Sequence, residues 1–203
     1  MIKSFTGGIA AGVLISIGGC VYLACENKYI GAVLFSVALL CICYKEYVLF
    51  TGKVGYTVES HKKADFVSLF SGLAGNAAAT VLCGLAASYA IPATAGAAEM
   101  ICSAKLEQAM GQTLIRAFFC GILMYLAVSI YKEKNTALGI LFCVPVFILS
   151  GFEHSIANMF YFAAGGLFEP KAALYIAAVL VGNSIGGIFL PLLKKAERAN
   201  KKN

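Results

Sequence analysis

The chain has 203 residues, of which 60% are hydrophobic and only 13% charged, with a mean hydropathy of +0.83. An average soluble domain carries roughly 25% charged residues, so a water-soluble globule is excluded and the expected class is an all-α multi-pass membrane protein, with lipid as its surroundings. The net charge of +6 does not indicate a nucleic-acid partner, because no basic face interleaved with aromatic residues is present.

Six apolar stretches follow one another at 6–25, 29–51, 66–91, 114–131, 136–166 and 172–193. Each is long enough to cross a hydrocarbon core of ~30 Å at about 1.5 Å per residue. The first is Gly-rich, has no convincing cleavage site and is followed directly by another span, so it reads as a helix and not as a signal peptide. The second carries Tyr44-Lys45-Glu46-Tyr47 ahead of Leu49-Phe50-Thr51-Gly52, a polar interruption too deep for an ordinary loop. The third contains Gly75-Asn76, and Lys105 stands at the polar-to-apolar transition that leads to the fourth. In the fifth, Ser150-Gly151 precedes Phe152-Glu153-His154-Ser155-Ile156-Ala157-Asn158-Met159. An acid and an imidazole at this depth are costly, at least ~2.5 kcal/mol for a charge, and such groups usually line a functional path. The sixth contains Gly182-Asn183 and runs into a basic tail, 194–203.

Lys3, then Lys53, Lys62 and Lys63, then Lys132 and Lys134, then the tail lysines and Arg198 all fall on one side of a six-span topology. The positive-inside rule then places both termini in the cytoplasm. The cysteines lie mostly in or beside apolar stretches, where cysteine acts as a small hydrophobe. Cys41-Ile42-Cys43 is not a zinc spacing, and His61 and His154 are far apart, so no metal and no cofactor are expected. His61 reads as a solvated loop residue.

The single domain, 1–203, divides into two halves of three spans, approximately 1–91 and 105–193. Thr51 and His154 recur at an offset of 103, and Asn76 and Asn183 at 107. A repeat with an odd number of spans inserts with reversed orientation, which predicts an inverted 3+3 architecture with a path at broken second and fifth helices. Half-helix N-termini there would aim N–H groups at an anion. Glu153, one residue before His154, points elsewhere on a helix and suits a helix-to-helix or protomer contact. Asn158, Asn76 and Asn183 suit the satisfaction of freed backbone groups.

On three blocks the sequence resembles the formate/nitrite transporter family. Gly151-Phe152-Glu153-His154-Ser155-Ile156-Ala157-Asn158-Met159 reads as that family's fifth-span signature. Leu49-Phe50-Thr51-Gly52 and the segment 105–128, with Arg116, Cys120 and Leu126-Ala127-Val128, fall in register with it. The segment 44–48 lacks the small residues usual there, and Gly121-Ile122 stands where the family carries an Asn-Trp pair.

The resemblance implies an aquaporin-like homopentamer in a bacterial cytoplasmic membrane, with one pore per protomer for formate, or alternatively nitrite or hydrosulfide. It implies that His154 is the central pore histidine and relays a proton, that Thr51 faces it, and that Lys105 lies near the outer mouth and attracts the anion. It implies that Phe35, Leu39, Leu49, Phe50 and Phe147 form two apolar constrictions. An enzyme is not expected, since no nucleophile elbow, His-rich cluster or cofactor motif is present.

Overall fold

A computed structural model describes residues 1–201, and all of its regular elements are helical: α1 Ile2–Ala24, α2 Lys28–Tyr44, α3 Phe50–Lys53, α4 Thr57–Ser60, α5 Lys63–Ala90, α6 Pro92–Leu106, α7 Met110–Lys134, α8 Leu138–Leu149, α9 Ser155–Ala164 and α10 Pro170–Asn200, with a 3-10 turn Val54–Tyr56 between α3 and α4. Helices α1, α5, α7 and α10 are long and apolar enough to cross a membrane, and α2 and α8 are shorter apolar helices. The predicted stretch 29–51 becomes α2 followed by the start of α3, and 136–166 becomes α8 followed by α9. Helix α10 continues through 194–200, so most of the basic tail is helical; Lys202 and Asn203 lie outside the described residues. Helix α6 was not predicted as an element.

Local chemistry sets the ends. The Asn27 carboxamide accepts from the Tyr29 and Ile30 N–H groups and caps α2. Pro92 and Pro170 open α6 and α10 at positions where a missing N–H is harmless. Asn135, at φ 48°, closes α7 in the left-handed conformation.

Two helix pairs approach through small residues. A Cβ at Gly8 would run into the Gly72 carbonyl and one at Gly75 into the Phe5 carbonyl, which brings α1 against α5. Helices α7 and α10 meet the same way: a Cβ at Gly121 would strike the Asn183 carbonyl, and one at Gly186 the Phe118 carbonyl. Close backbone approach of this kind is how helices associate where no hydrophobic force distinguishes lipid from protein. It also gives Gly121 a physical reason for standing where the resembled family has a larger residue.

Large apolar side chains such as Val37, Phe70, Leu82, Phe142 and Leu174 lie on the outside, while Thr51, Asn76, Glu153, His154, Asn158 and Asn183 are buried within. An apolar exterior around a core that holds these polar groups among apolar ones departs from the arrangement of a soluble domain.

Candidate functional site

The site is built on two helix breaks with the same backbone construction. At the end of α2, Tyr47 N–H donates to Ile42 O at 3.0 Å and Glu46 N–H to Cys43 O at 3.2 Å. At the end of α8, Phe152 N–H donates to Phe147 O at 2.9 Å and Gly151 N–H to Ile148 O at 3.1 Å. Both are Schellman closures, with Glu46 at φ 56° and Gly151 at φ 67° in the left-handed position. Each chain then runs extended through Leu49 and His154, and helix resumes at Phe50 and Ser155.

Each break is clamped by one asparagine. Asn76 on α5 accepts from Phe50 N–H at 3.0 Å and donates to the Val48 and Gly8 carbonyls, both at 2.8 Å. Asn183 on α10 accepts from Ser155 N–H at 2.8 Å and donates to the Glu153 carbonyl at 2.7 Å and the Ala117 carbonyl at 2.8 Å. The clamps bracket Leu49 and His154, so in the hydrogen-bond register the counterpart of His154 is Leu49. The offset of 103 that pairs Thr51 with His154 is therefore two residues out of step with the backbone. Among the half-helix N–H groups expected to aim at an anion, Phe50 and Ser155 N–H are held by the clamps and Ala157 N–H by His154.

Thr51 and His154 meet all the same. Thr51 Oγ1 lies 2.9 Å from His154 Nε2, and Ala157 N–H donates to His154 Nδ1 at 3.1 Å. Nδ1 must then carry a lone pair, which puts the proton of the neutral ring on Nε2, donating to the Thr51 oxygen. The hydroxyl proton of Thr51 remains available. Phe147 stacks on the imidazole at a centroid distance of 5.6 Å, and Phe35 packs edge-on to Phe147 at 6.3 Å.

One cavity reaches His154, and a second ends at Leu49 and Gly52, close to Thr51 in the chain. The smaller, about 290 Å³, is lined by Phe35, Phe147, His154, Lys105, Glu153 and Asn158, together with Gln108 and Arg116. There Lys105 on α6 forms an ion pair with Glu153, whose carboxylate also accepts from Asn158 Nδ2 at 2.9 Å. Glu153 thus joins α6, the break and α9 within one chain, and Asn158 bonds a side chain where a freed backbone group was expected. Glu153 also cancels the charge assigned to Lys105 as the anion's attractant. The larger cavity, about 960 Å³, is lined by Leu39, Leu49, Gly52 and Val128, with Lys3, Lys45, Lys53, Lys132 and Glu46. Phe50 is buried and lines neither cavity.

Sequence reasoning missed Arg116 and Gln108 as cavity residues and the four lysines as the wall of one chamber. It also missed α6, which carries Lys105. Pro92 after Ile91 was the available signal for that helix.

Residues 1–195 match the sequence model of the Formate/nitrite transporter family. The chain belongs to that family. Formate-nitrite transporter 2 of Toxoplasma gondii is 29% identical over 185 residues, covering 81% of this chain but 40% of that protein. The uncharacterized transporter YwcJ of Bacillus subtilis is 31% identical over 180 residues, covering 78% of this chain and 70% of its own. The formate channel BtFdhC of Bacillus thuringiensis is 33% identical over 95 residues, 43% of this chain and 37% of that protein. The chain thus spans about two fifths of the length of the Toxoplasma relative. Among solved structures, a pentameric formate channel with formate bound aligns at a TM-score of 0.75 and 23% identity, covering 98% of this chain and 97% of that one. An FNT family ion channel aligns at 0.69 and 22% identity, covering 92% and 84%. These likenesses give the fold. The matching family model and the structural neighbours are of transporters and channels, and the chain is an integral membrane protein of the formate/nitrite transporter family.

Proposed function

We propose that the protein is a pore for small monovalent weak-acid anions, formate foremost and nitrite or hydrosulfide as alternatives, with proton transfer at His154. The observation that carries this reading is the Thr51–His154 hydrogen bond of 2.9 Å, with one cavity lined by His154 and another by Leu49 and Gly52 beside Thr51 in the chain. Phe35 and Phe147 narrow one approach, and Leu39 and Leu49 the other. A bare anion between such walls loses its hydration at a cost of several kcal/mol, and neutralising it removes most of that cost. The Nε2–H and Thr51 hydroxyl are the groups that meet it there.

Proton uptake by the ring must occur at Nδ1, whose lone pair already serves Ala157 N–H. Charging His154 therefore displaces a cap of α9, and the imidazolium is a transient species. It passes its Nε2 proton to the anion, directly or through Thr51, the neutral weak acid crosses, and loss of the Nδ1 proton with reprotonation at Nε2 restores the starting tautomer. Lys105 stays beside the substrate path with its charge balanced by Glu153, so it shapes the cavity wall. Phe50 backs Leu49 from behind. Asn76 and Asn183 hold the two breaks open.

In the same reading, α2–α3 and α8–α9 are each one broken span, which makes six spans in two inverted halves, approximately 1–91 and 105–193. The termini and the lysine-lined cavity face the cytoplasm, since lysines gather on that side. The protein assembles as a homopentamer in a bacterial cytoplasmic membrane, a reading supported by the pentameric assembly of the formate channel it resembles in fold.

The test is uptake of labelled formate into proteoliposomes holding wild-type protein or His154→Phe, from about pH 5 to pH 8. Saturable, acid-stimulated uptake that the variant loses while remaining a folded oligomer is expected. Full uptake by the variant would remove the relay. Wild-type vesicles that pass none of formate, nitrite and hydrosulfide would remove the anion reading itself.

A further inference from the structure

The smaller cavity holds two cationic side chains, Lys105 and Arg116, and one carboxylate, Glu153. Lys105 is paired with Glu153, which is also bonded to Asn158. Arg116 has no carboxylate within 4.0 Å and no side-chain hydrogen bond among the described residues. It is therefore the uncompensated positive group on this approach to His154. It borders the break. The Arg116 carbonyl accepts from Glu153 N–H at 3.4 Å, and a guanidinium nitrogen lies 3.9 Å from where a Cβ on Gly151 would stand. Because Gly151 has no side chain, the space above the guanidinium stays open toward the break that presents His154. Gln108 supplies the second observation. Its Oε1 is buried in the same cavity with no protein hydrogen-bond partner, so it is free to bond water or a ligand that enters.

We propose that Arg116 and Gln108 form an anion-holding position ahead of His154, selective for planar anions with two oxygen atoms over single-centre anions such as hydrosulfide. The proposal rests on the anion-pore reading above and narrows its substrate class. A guanidinium presents parallel N–H donors in a rigid fork that matches the two oxygens of a carboxylate or a nitrite. Hydrosulfide has one acceptor centre and gains a single contact from the same fork. The Gln108 carboxamide serves both forms of the weak acid: its NH₂ donates to the anion, and its free Oε1 accepts the O–H of the protonated acid.

Arg116→Lys keeps the charge and removes the fork. The readout is half-saturating concentration for formate, nitrite and hydrosulfide in proteoliposomes. Formate and nitrite are expected to weaken roughly tenfold relative to hydrosulfide, the loss of about one charge-assisted hydrogen bond. An equal shift for all three anions, or no shift, overturns the selectivity. Should the variant fail to assemble, competition in wild-type vesicles decides. Nitrite is expected to displace labelled formate at comparable concentration and hydrosulfide at an equal anion concentration is not; equal displacement by both overturns the proposal. Failure of the underlying pore reading looks different, because wild-type vesicles would then take up no anion.

Discussion

Asn76 and Asn183 each place a carboxamide across a gap in the backbone, with its oxygen on the N–H that restarts the helix and its nitrogen on the carbonyl that ends the extended run. The third bond of each reaches a neighbouring helix, to Gly8 or Ala117. An unpaired buried polar group costs about 1–3 kcal/mol, so Asn183→Ala, which orphans the Ser155 N–H and the Glu153 carbonyl, is expected to destabilise the protein by ~2 kcal/mol or more. Thermal unfolding in detergent reads this directly, and uptake should fall although His154 is untouched; an unchanged midpoint would contradict the clamp. The buried polar residues of the site were legible in the sequence because each stands out in an apolar background. Leu49, the backbone counterpart of His154, was not legible in that role, because a leucine among leucines carries no signal. Arg116 and Gln108 were hidden for another reason: which way their side chains turn depends on α7 and α6 packing around the break.

At the scale of elements, the breaks share one geometry while differing in the residue at their left-handed position. Gly151 adopts φ 67° freely, whereas Glu46 holds φ 56° with a Cβ, a conformation that costs an L-residue roughly 1–2 kcal/mol. Gly151→Ala is therefore expected to lower stability by about 1 kcal/mol, and Glu46→Gly to raise it by up to about the same amount. Opposite shifts in unfolding temperature would bear this out, and a loss of stability for Glu46→Gly would contradict it. The interrupted character of the second and fifth apolar stretches could be read from Tyr44-Lys45-Glu46-Tyr47 and Ser150-Gly151, since polar and left-handed residues cannot continue a lipid-facing helix. Helix α6 escaped because Pro92–Leu106 is rich in small residues and mixes Glu99 and Lys105 into its face. It docks tightly at the C-terminal end of α9, where a Cβ at Gly165, just after that helix, would lie 2.8 Å from Glu99 N, and periodicity does not record such contacts.

The molecule as a whole puts unequal charge on the two approaches. On one, Glu153 balances Lys105 and leaves Arg116; on the other, Lys3, Lys45, Lys53 and Lys132 share a chamber of about 960 Å³ with Glu46 alone, and among the described residues none of the four is ion-paired. Lys132 instead rests 4.0 Å over the Tyr56 ring, a contact that leaves its charge in place. Such a field concentrates small anions within about one Debye length, from ~30 Å at 0.01 M salt to ~3 Å at 1 M. The anion pore proposed above consumes no energy, so with equal pH on both sides detailed balance requires the ratio of maximal rate to half-saturating concentration to be the same from both faces. The lysine chamber must then make the pore kinetically lopsided without making it a pump. Flux entering from that face saturates at lower formate and reaches a lower ceiling than flux from the other, and the difference fades as salt rises. Vesicles with the protein inserted in one known orientation would show it, and identical saturation curves from both faces at low salt would mean that the four charges are not felt in the pore.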